Sequence, residues 1–285
     1  MSFLQIHAQP SRPSVWILSW TLFAAGLAAY FWVSSARHRE NPDDRVMPTL
    51  GQMRQSFIDA TLKPAEEDAL AEDSAAQSLL MRFRNSMLWK DTQATGRRFF
   101  ISLGLLFPAV LLGVHMGMFP YVGAFFLRFV LFFDKIVALS LLPILFIVFG
   151  IDEAAKVMLI LIGVAPTIIL DAFNLTRSVP REQIVKGFTL GAGDFSVAYR
   201  IVLKQILPRV LNSIRLNLKA VMIFLFSGEM IASTDGLAYR IALLRRHMAM
   251  DTIIPYVLWV ALLLFLVDLG MRTLNRKLHP WFQEA

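Results

Sequence analysis

The sequence predicts an all-α polytopic membrane protein with about six transmembrane helices. Hydrophobic residues make up 56% of the 285 positions and the mean hydropathy is +0.56, which is too apolar for an ordinary soluble domain. Charged residues are 17% of the chain, and they cluster between long apolar runs. A helix needs about 20 predominantly apolar residues to cross the hydrocarbon layer, and several runs approach or reach that length. The bilayer is therefore the expected solvent for most of the chain.

The apolar runs predict the positions of six spans. The first is followed by the basic segment 37–39 without a small-residue cleavage site, so we expect it to be retained and not removed as a signal peptide. Arg97–Arg98 precede the second span, and Pro108 is expected to kink it. Asp134–Lys135 are expected near the start of the third span, at the membrane interface. The predicted spans are Val15–Val33, Phe99–Met118, Leu127–Gly150, Ala154–Phe173, Ile214–Ser233 and Ile253–Met271.

Motifs for catalysis or cofactor binding are missing from the sequence. There is no cysteine, which excludes disulfides, iron–sulfur clusters and thiolate zinc sites. The five histidines form no metal-binding pair or HExxH motif, so no metal site or other cofactor is predicted, and His115 is expected to be structural. No Walker A glycine–lysine pattern occurs, so the chain is not expected to be an enzyme, and any coupling to ATP has to come from a partner.

The net charge of +7 raises the question of a nucleic-acid partner. In a chain this apolar, basic loops that face the cytoplasm explain the charge better, so no nucleic acid is expected as a partner.

The most informative segment is a basic, polar block, Val179–Asn217, set between apolar runs. An apolar stripe marks a first short helix. Gly191 and Gly193 are expected to end that helix, because glycine tolerates the left-handed conformation of a C-terminal cap. A helical hairpin of this kind between membrane spans has to dock onto something outside the bilayer. The stripe consists of Ile184, Val185 and Phe188.

A second helix is expected after the glycines. Asp194 is predicted to cap it, and Pro208 is predicted to stop or kink it. Its apolar residues repeat at helical spacing, at Phe195, Ala198, Val202 and Ile206.

The spacing in this block resembles the cytoplasmic signature loop of ABC-importer permeases, E-A-A-x3-G-x9-I-x-L-P. Gly191 is followed ten residues later by Ile201 and then by Leu203, and Leu190-Gly191-Ala192 is similar to the L-G-A of many permeases. The chain departs from the family where Val185-Lys186-Gly187 stands for E-A-A and Lys204 for the first proline. Four further segments resemble the nitrate/sulfonate/taurine branch: PTLGQMRQSF near Pro48, SLGLLFPAVLLGVHMG from Ser102, ALSLLPILFIVFGIDEAAKVMLI from Ala138, and GEMIAS-x2-GLAY from Gly228.

The resemblance implies the permease subunit of a prokaryotic ABC importer in the inner membrane. Its implied partners are cytoplasmic ABC ATPase subunits, a second permease copy (as a homodimer or a paired permease) and an extracytoplasmic substrate-binding protein. The implied substrate is a small polar solute such as nitrate, a sulfonate or taurine. Two alternatives stay open. One is an importer of the same class for a small nitrogen compound or a pyrimidine-type precursor, and the other is a membrane-embedded enzyme.

The resemblance also implies a coupling loop, about 174–213, whose first helix contacts the ATPase. Ile184 and Phe188 lie one helical turn apart, so both are expected to enter one apolar groove of the ATPase. Gly191 is expected to set the angle of this helix. Charged residues are expected at the rim of the contact, at Arg181, Glu182 and Lys186.

Ionisable residues inside the predicted spans are candidates for the translocation pathway. A charge at the bilayer centre costs at least ~2.5–3.5 kcal/mol on insertion scales, so each should face protein or water. Glu229 is interpreted either as a pathway or gate residue or as a helix-packing hydrogen bond. Asp268 is expected to pair with a nearby arginine or lysine, and Arg215 and Lys219 are expected at the entry of the fifth span.

The short basic loops predict the orientation. The signature loop and the basic tail after the last span should face the cytoplasm. An even number of spans then puts the N-terminus in the cytoplasm, with the polar segment 36–98 and the turn at Asp152–Glu153 outside. We therefore divide the chain into an N-terminal span with a long extracytoplasmic loop, 1–98, and a transmembrane core, 99–285. The loop carries an acidic patch, 66–73, and a predicted surface helix, Ala69–Met87.

Overall fold

The computed structural model describes residues 12–41, 44–62 and 84–282. These residues contain helices and no β-strand, which confirms the predicted all-α class. The acidic patch 66–73 and most of the predicted helix Ala69–Met87 lie outside the described residues. The helices are α1 (Arg12–Glu40), α2 (Leu50–Leu62), α3 (Met87–Leu105), α4 (Phe107–Met118), α5 (Pro120–Asp134), α6 (Leu142–Phe149), α7 (Glu153–Arg177), α8 (Arg181–Thr189), α9 (Leu203–Ala232), α10 (Leu237–Arg246) and α11 (Met250–Leu278).

Four helical stretches of the described chain are long and apolar enough to cross a membrane, and a bent helix pair would make a fifth crossing. The bent pair, Pro120–Asp134 with Ala138–Phe149, turns by 78°. The predicted first span lies within α1, and the count of six spans stays a prediction. The four stretches are Met87–Met118, Glu153–Arg177, Asp194–Ala232 and Met250–Leu278.

The helix that contains the second predicted span begins before the apolar run. α3 begins at Met87, after the capping residue Ser86, so residues 88–98, which the sequence assigned to the polar loop, are helical. Arg97–Arg98 therefore lie inside the helix and not in front of it. The start of the membrane span at Phe99 stays a prediction. The first half of α3 is polar because it packs against charged groups of the same chain. A hydropathy pattern alone assigns such polar residues to a loop.

The third predicted span, Leu127–Gly150, is broken instead of continuous. α5 ends at Asp134, and a 3₁₀ turn leads into α6, which has Pro143 in its first turn. Proline cannot donate a backbone hydrogen bond and its ring clashes with the preceding turn, so a helix cannot run straight through this point. Asp134 accepts hydrogen bonds from Thr167 at 3.3 Å and from Lys135 at 2.9 Å, so it lies against α7.

Two prolines inside long helices behave differently. The helix is interrupted at Leu106, next to Pro108, and continues as α4. Pro208 was predicted to stop or kink its helix; the stop does not occur, because α9 continues through this residue, and the kink stays a prediction. Pro208 is buried, and its carbonyl accepts a hydrogen bond from Asn275 of α11 at 3.0 Å. Packing against a neighbouring helix thus supports the helix where one backbone bond is lost.

α7 packs closely against α4 on one side and α9 on the other. A Cβ atom at Gly113 of α4 would lie 2.4 Å from the carbonyl oxygen of Ile169. A Cβ atom at Gly163 of α7 would lie 2.7 Å from the ring of Phe224. Small residues at these points let the helices approach each other, as is common between helices in membranes.

Candidate functional site

The predicted coupling helix is present as α8, Arg181–Thr189. One side of it packs on the chain itself, because a Cβ atom at Gly187 would lie 2.7 Å from Ile201. The opposite side is free in this structure, with exposed fractions of 57% for Val185 and 45% for Phe188. Leu190, just after the helix, is 80% exposed. This apolar surface of Val185, Phe188 and Leu190 is called the α8 face below.

The two residues that were predicted to act as a pair differ in their exposure. Ile184 is half-buried and packs against the hydrophobic core of its own chain, whereas Phe188 belongs to the α8 face. Val185, next to Ile184, is exposed like Phe188. The entry of both Ile184 and Phe188 into one groove of the ATPase stays a prediction.

A glycine turn ends α8, as predicted. Gly191 has φ +82°, a left-handed conformation that costs non-glycine residues about 1–2 kcal/mol. The Gly191 amide donates to the Phe188 carbonyl at 2.9 Å, and the Ala192 amide donates to the Gly187 carbonyl at 3.2 Å. These two bonds form the Schellman motif of helix C-termini. The turn fixes the direction in which the chain leaves α8.

The next helical segment starts one residue earlier than predicted. The N-cap residue is Gly193, and Asp194 follows as the first helical residue without a capping hydrogen bond from its side chain. The prediction of Asp194 as the cap is therefore wrong. Gly193 itself has an extended backbone, which suits an N-cap position.

Aromatic residues connect the beginning of this segment to the end of α4. The ring centroids of Phe195 and Phe119 are 5.8 Å apart, and those of Phe195 and Tyr199 are 6.5 Å apart. His115 Nε2 and the Tyr199 hydroxyl are hydrogen bonded at 2.8 Å. His115 therefore connects two helices of the same chain. In the described part of the chain no group of three potential metal ligands includes it.

The charged residues predicted for the rim of the ATPase contact, Arg181, Glu182 and Lys186, are all exposed on α8. Further exposed cations lie nearby, at Arg177 and Arg200. The α8 face is thus an apolar patch within a mostly basic surface.

Glu229 is the second predicted site residue, and it lies at the other end of the bundle in a buried ion-pair cluster. Its carboxylate is 0% exposed. Arg98 Nη1 donates to Glu229 Oε1 at 2.9 Å, and the Thr95 hydroxyl donates to the same carboxylate at 2.9 Å. The backbone amide of Ala238 donates to Oε2 at 3.2 Å. This geometry corresponds to the packing interpretation, and a role of Glu229 in the pathway stays a prediction.

Arg98 is the centre of the cluster, and the sequence pattern missed it. Its Nε donates to Glu153 at the start of α7 at 2.5 Å, and its Nη2 donates to Asp235 in the α9–α10 connection. Lys156 adds a second cation, 3.0 Å from Glu153. One guanidinium therefore joins α3, α7, α9 and the α9–α10 connection, with a bidentate fork on Glu153 of the kind that only arginine can form.

The beginning of α10 is attached to α3 by further polar contacts. Asp91 accepts from the Gly236 amide at 3.1 Å and from Arg240 at 2.9 Å. The Thr95 hydroxyl accepts from the Leu237 amide at 2.9 Å. Gly236 has φ +117°, and a Cβ atom there would lie 2.7 Å from the Glu229 carboxylate. The connection between α9 and α10 is therefore closely fitted over the cluster.

The opposite half of the bundle contains two smaller polar contacts. Asp171 of α7 accepts from Ser213 at 2.6 Å and from Asn217 at 3.2 Å. Arg215 of α9 and Asp268 of α11 form an ion pair at 2.9 Å, which confirms the prediction that Asp268 pairs with a basic residue.

Comparison with known proteins agrees with this architecture. The family model of the binding-protein-dependent transport system inner membrane component matches residues 109–280, more than half of the chain. The taurine transport system permease protein TauC of Escherichia coli (strain K12) is 30% identical over 207 residues, which cover 71% of this chain and 74% of TauC. The putative aliphatic sulfonates transport permease protein SsuC of the same strain is 25% identical over 143 residues, 50% of this chain and 54% of SsuC.

The fold is also found among solved structures. An inward-facing structure of the MetNI methionine ABC transporter aligns with a TM-score of 0.57 at 18% identity, covering 67% of this chain and 95% of that chain. At this identity the likeness concerns the fold alone. Together with the family match and the similarity to TauC, it shows that the chain belongs to the inner-membrane permease family of binding-protein-dependent ABC importers.

Proposed function

We propose that this permease imports a small sulfonate-type solute, such as taurine, and that a partner ATPase supplies the energy by docking on α8. A second permease copy and an extracytoplasmic substrate-binding protein complete the proposed importer. The substrate class is supported by the names of two relatives, one a taurine permease and the other a putative aliphatic sulfonate permease.

The observation that carries the docking proposal is the α8 face. Val185, Phe188 and Leu190 are exposed on a short helix outside the long apolar spans, and the helix is held by packing at Gly187 and by the Schellman turn at Gly191. A rigid element that presents an apolar face suits transmission of a rigid-body movement from one protein to another. Burying the Val185 and Phe188 side chains would contribute about 3–6 kcal/mol before ordering costs. Arg181, Glu182 and Lys186 would surround this contact.

The missing acidic residue of the family signature fits the same arrangement. Val185-Lys186-Gly187 replaces E-A-A, so an acidic contact to the ATPase is absent at these positions. We propose that apolar contact of Val185 and Phe188 takes a larger share of the interface in this chain.

Uptake measured in cells tests the substrate class. The permease is expressed together with a candidate ATPase and a candidate binding protein from the same genome, in a host that lacks its own taurine and sulfonate importers. We expect ATP-dependent uptake of radiolabelled taurine that excess ethanesulfonate inhibits. The proposed substrate class is wrong if nitrate or a pyrimidine precursor inhibits uptake and ethanesulfonate does not. The substrate would then belong to the class of the compound that inhibits.

A further inference from the structure

A cavity of about 320 Å³ lies between α2, α10 and α11, beside the start of α3. Its volume is at the lower end of the range of about 300–1,000 Å³ that is usual for ligand pockets in proteins. The cavity belongs to the same end of the bundle as the Arg98–Glu229 pair, because Asp91 of α3 binds both Arg240 of α10 and the Gly236 amide. It is called the α10 cavity below.

Arg240 supplies a positive charge in the wall of the α10 cavity. Its side chain is only 18% exposed, and its Nε donates to Asp91 at 2.9 Å. Asp91 is itself buried, so this ion pair fixes the position of the guanidinium. In the part of the chain that the structure describes, this is the one hydrogen bond that Arg240 donates from its side chain. A guanidinium has five N–H donors, so four remain for a bound molecule.

Two hydroxyl groups of α11 also line the α10 cavity. Tyr256 is 2% exposed, and its hydroxyl forms no hydrogen bond with any residue that the structure describes. The same holds for the hydroxyl of Thr252, one helical turn earlier. Buried polar groups in proteins are nearly always hydrogen bonded, so a tyrosine this deeply buried points to a partner that is not part of the described chain. These hydroxyls and the Arg240 guanidinium therefore line one space with donors that await an acceptor.

The α10 cavity also has a carboxylate and apolar walls. Asp59 lines it from α2, on a different helix from Arg240, so the cavity contains charges of both signs. Leu243 and Leu244 of α10 add apolar surface. The exposed ring of His247 lies in the same wall, so the cavity opens at the protein surface. A small zwitterion with a short carbon chain would match this combination.

We propose that the α10 cavity binds a zwitterionic aminosulfonate, with its sulfonate group on Arg240 and Tyr256 and its amino group near Asp59. This inference rests on the proposed function and deepens it, because it assigns a site in this chain to the solute. The planar guanidinium donates to two oxygens of an oxyanion at once, and the tyrosine hydroxyl donates to a third. Leu243 and Leu244 contact the carbon chain. In the predicted orientation the cavity opens outside the cell, so a solute released by the binding protein reaches it before the membrane-crossing part of the bundle.

Protection of a single thiol by the solute tests this site. The chain has no cysteine, so Ala60→Cys places the only thiol of the permease in the wall of the α10 cavity. The assembled complex in detergent is treated with an uncharged maleimide, with and without taurine, and the labelled permease is quantified. We expect taurine to slow the labelling, and we expect the uncharged 2-hydroxyethyl methyl sulfone to have no effect. Asp152→Cys, exposed at the same end of the bundle, is the matched control, and taurine should leave its labelling unchanged.

The proposal fails if taurine does not protect Ala60→Cys. It also fails if the uncharged sulfone protects this thiol as well as taurine does, because the cavity would then not recognise charge.

Tyr256→Phe removes one donor and keeps the ring that packs in the core. Because the hydroxyl has no partner among the described residues, the variant should melt at the wild-type temperature or above it in the absence of taurine. The taurine concentration that halves the labelling of Ala60→Cys should rise at least about tenfold, as expected for loss of a hydrogen bond to a charged group. Tyr121→Phe, 91% exposed on α5, should change neither quantity. Unchanged protection in Tyr256→Phe would overturn the proposal. Replacement of Arg240 is less informative, because it leaves the buried Asp91 without its cation.

Ethanesulfonate tests the contact with Asp59, because it is a sulfonate without an amino group. Asp59→Asn should weaken the protection by taurine and leave the protection by ethanesulfonate unchanged. An equal effect on both compounds would show that the cavity does not recognise the amino group, which contradicts the proposal.

The uptake experiment separates a failure of this site from a failure of the proposed function. If taurine is imported but does not protect Ala60→Cys, the substrate class stands and the α10 cavity is not its site. If taurine protects this thiol but is not imported, the α10 cavity binds aminosulfonates and the proposed substrate class is wrong.

Discussion

Arg98 of α3 and Glu229 of α9 are 131 residues apart in the sequence, and they form a buried ion pair with an Nη1–Oε1 distance of 2.9 Å. The two partners differ in the number of oppositely charged side chains that they contact. Arg98 also contacts Glu153 and Asp235, whereas Arg98 is the only basic side chain that the structure places against Glu229 among the residues it describes. Loss of the arginine leaves three carboxylates without their shared cation, but loss of the glutamate leaves the arginine with two anions.

Arg98→Met should therefore destabilise the protein more than Glu229→Gln. Breaking a buried pair by removing one partner costs about 3–5 kcal/mol, and Glu229→Gln should cost less because the amide still accepts from Thr95 and Arg98. The measurement is the melting temperature of the purified complex in detergent. Lys135→Met serves as the control, since its contact with Asp134 is exposed and such pairs contribute about 0–1 kcal/mol.

The same variants separate the two interpretations of Glu229. If Glu229→Gln assembles with normal stability and still loses transport, Glu229 acts in the pathway. A loss of transport that follows the loss of assembled complex supports the packing role.

The long apolar runs predicted the central helices α7, α9 and α11, because hydropathy responds directly to burial in lipid. The same signal failed for α3, where polar residues such as Asp91 and Arg98 have their partners inside the protein. No periodicity relates Arg98 to Glu229, so this pair could not be derived from one sequence. The signature spacing predicted α8 and the turn at Gly191. It could not tell that Ile184 packs inward and Val185 outward, because that depends on how α8 rests on Ile201.

The glycine turn after α8 should be sensitive to substitution at one glycine and tolerant at the other. Gly191 has φ +82°, so Gly191→Ala should cost about 1–2 kcal/mol locally and Gly191→Pro should displace α8. We expect Gly191→Pro to retain partial ATPase binding while ATP hydrolysis no longer drives taurine uptake. Gly193→Ala is the matched control, because φ there is −77° and a Cβ atom would meet nothing within 4 Å. If the Gly191 and Gly193 variants bind the ATPase and import taurine equally well, the turn has no role in coupling.

Cysteine labelling in intact cells should confirm the orientation predicted from the basic loops. Asp194 follows the Schellman turn and is exposed, so Asp194→Cys should react with an impermeant thiol reagent only after the inner face is opened. Asp152 and Thr234 are exposed beside the ion-pair cluster at the other end of the bundle, so a cysteine at either position should react from outside. The opposite pattern would invert the topology and exclude α8 from contact with a cytoplasmic ATPase.

The α8 face gives the sharpest prediction on coupling, because neighbouring residues on one short helix have different environments. Val185→Ala with Phe188→Ala removes apolar surface from the exposed side alone. Burial of these two side chains against the ATPase would contribute about 3–6 kcal/mol to binding, and the double variant would lose part of that contribution. We expect this double variant to remain in the membrane at normal levels and to lose its ATPase during affinity purification. Ile184→Ala acts on the core of the permease instead, so it should lower the melting temperature of the permease while any ATPase that is bound stays bound. Leu278→Ala, exposed at the end of α11, should change neither quantity. A full complement of ATPase on the Val185/Phe188 double variant would show that the contact lies elsewhere on the cytoplasmic surface.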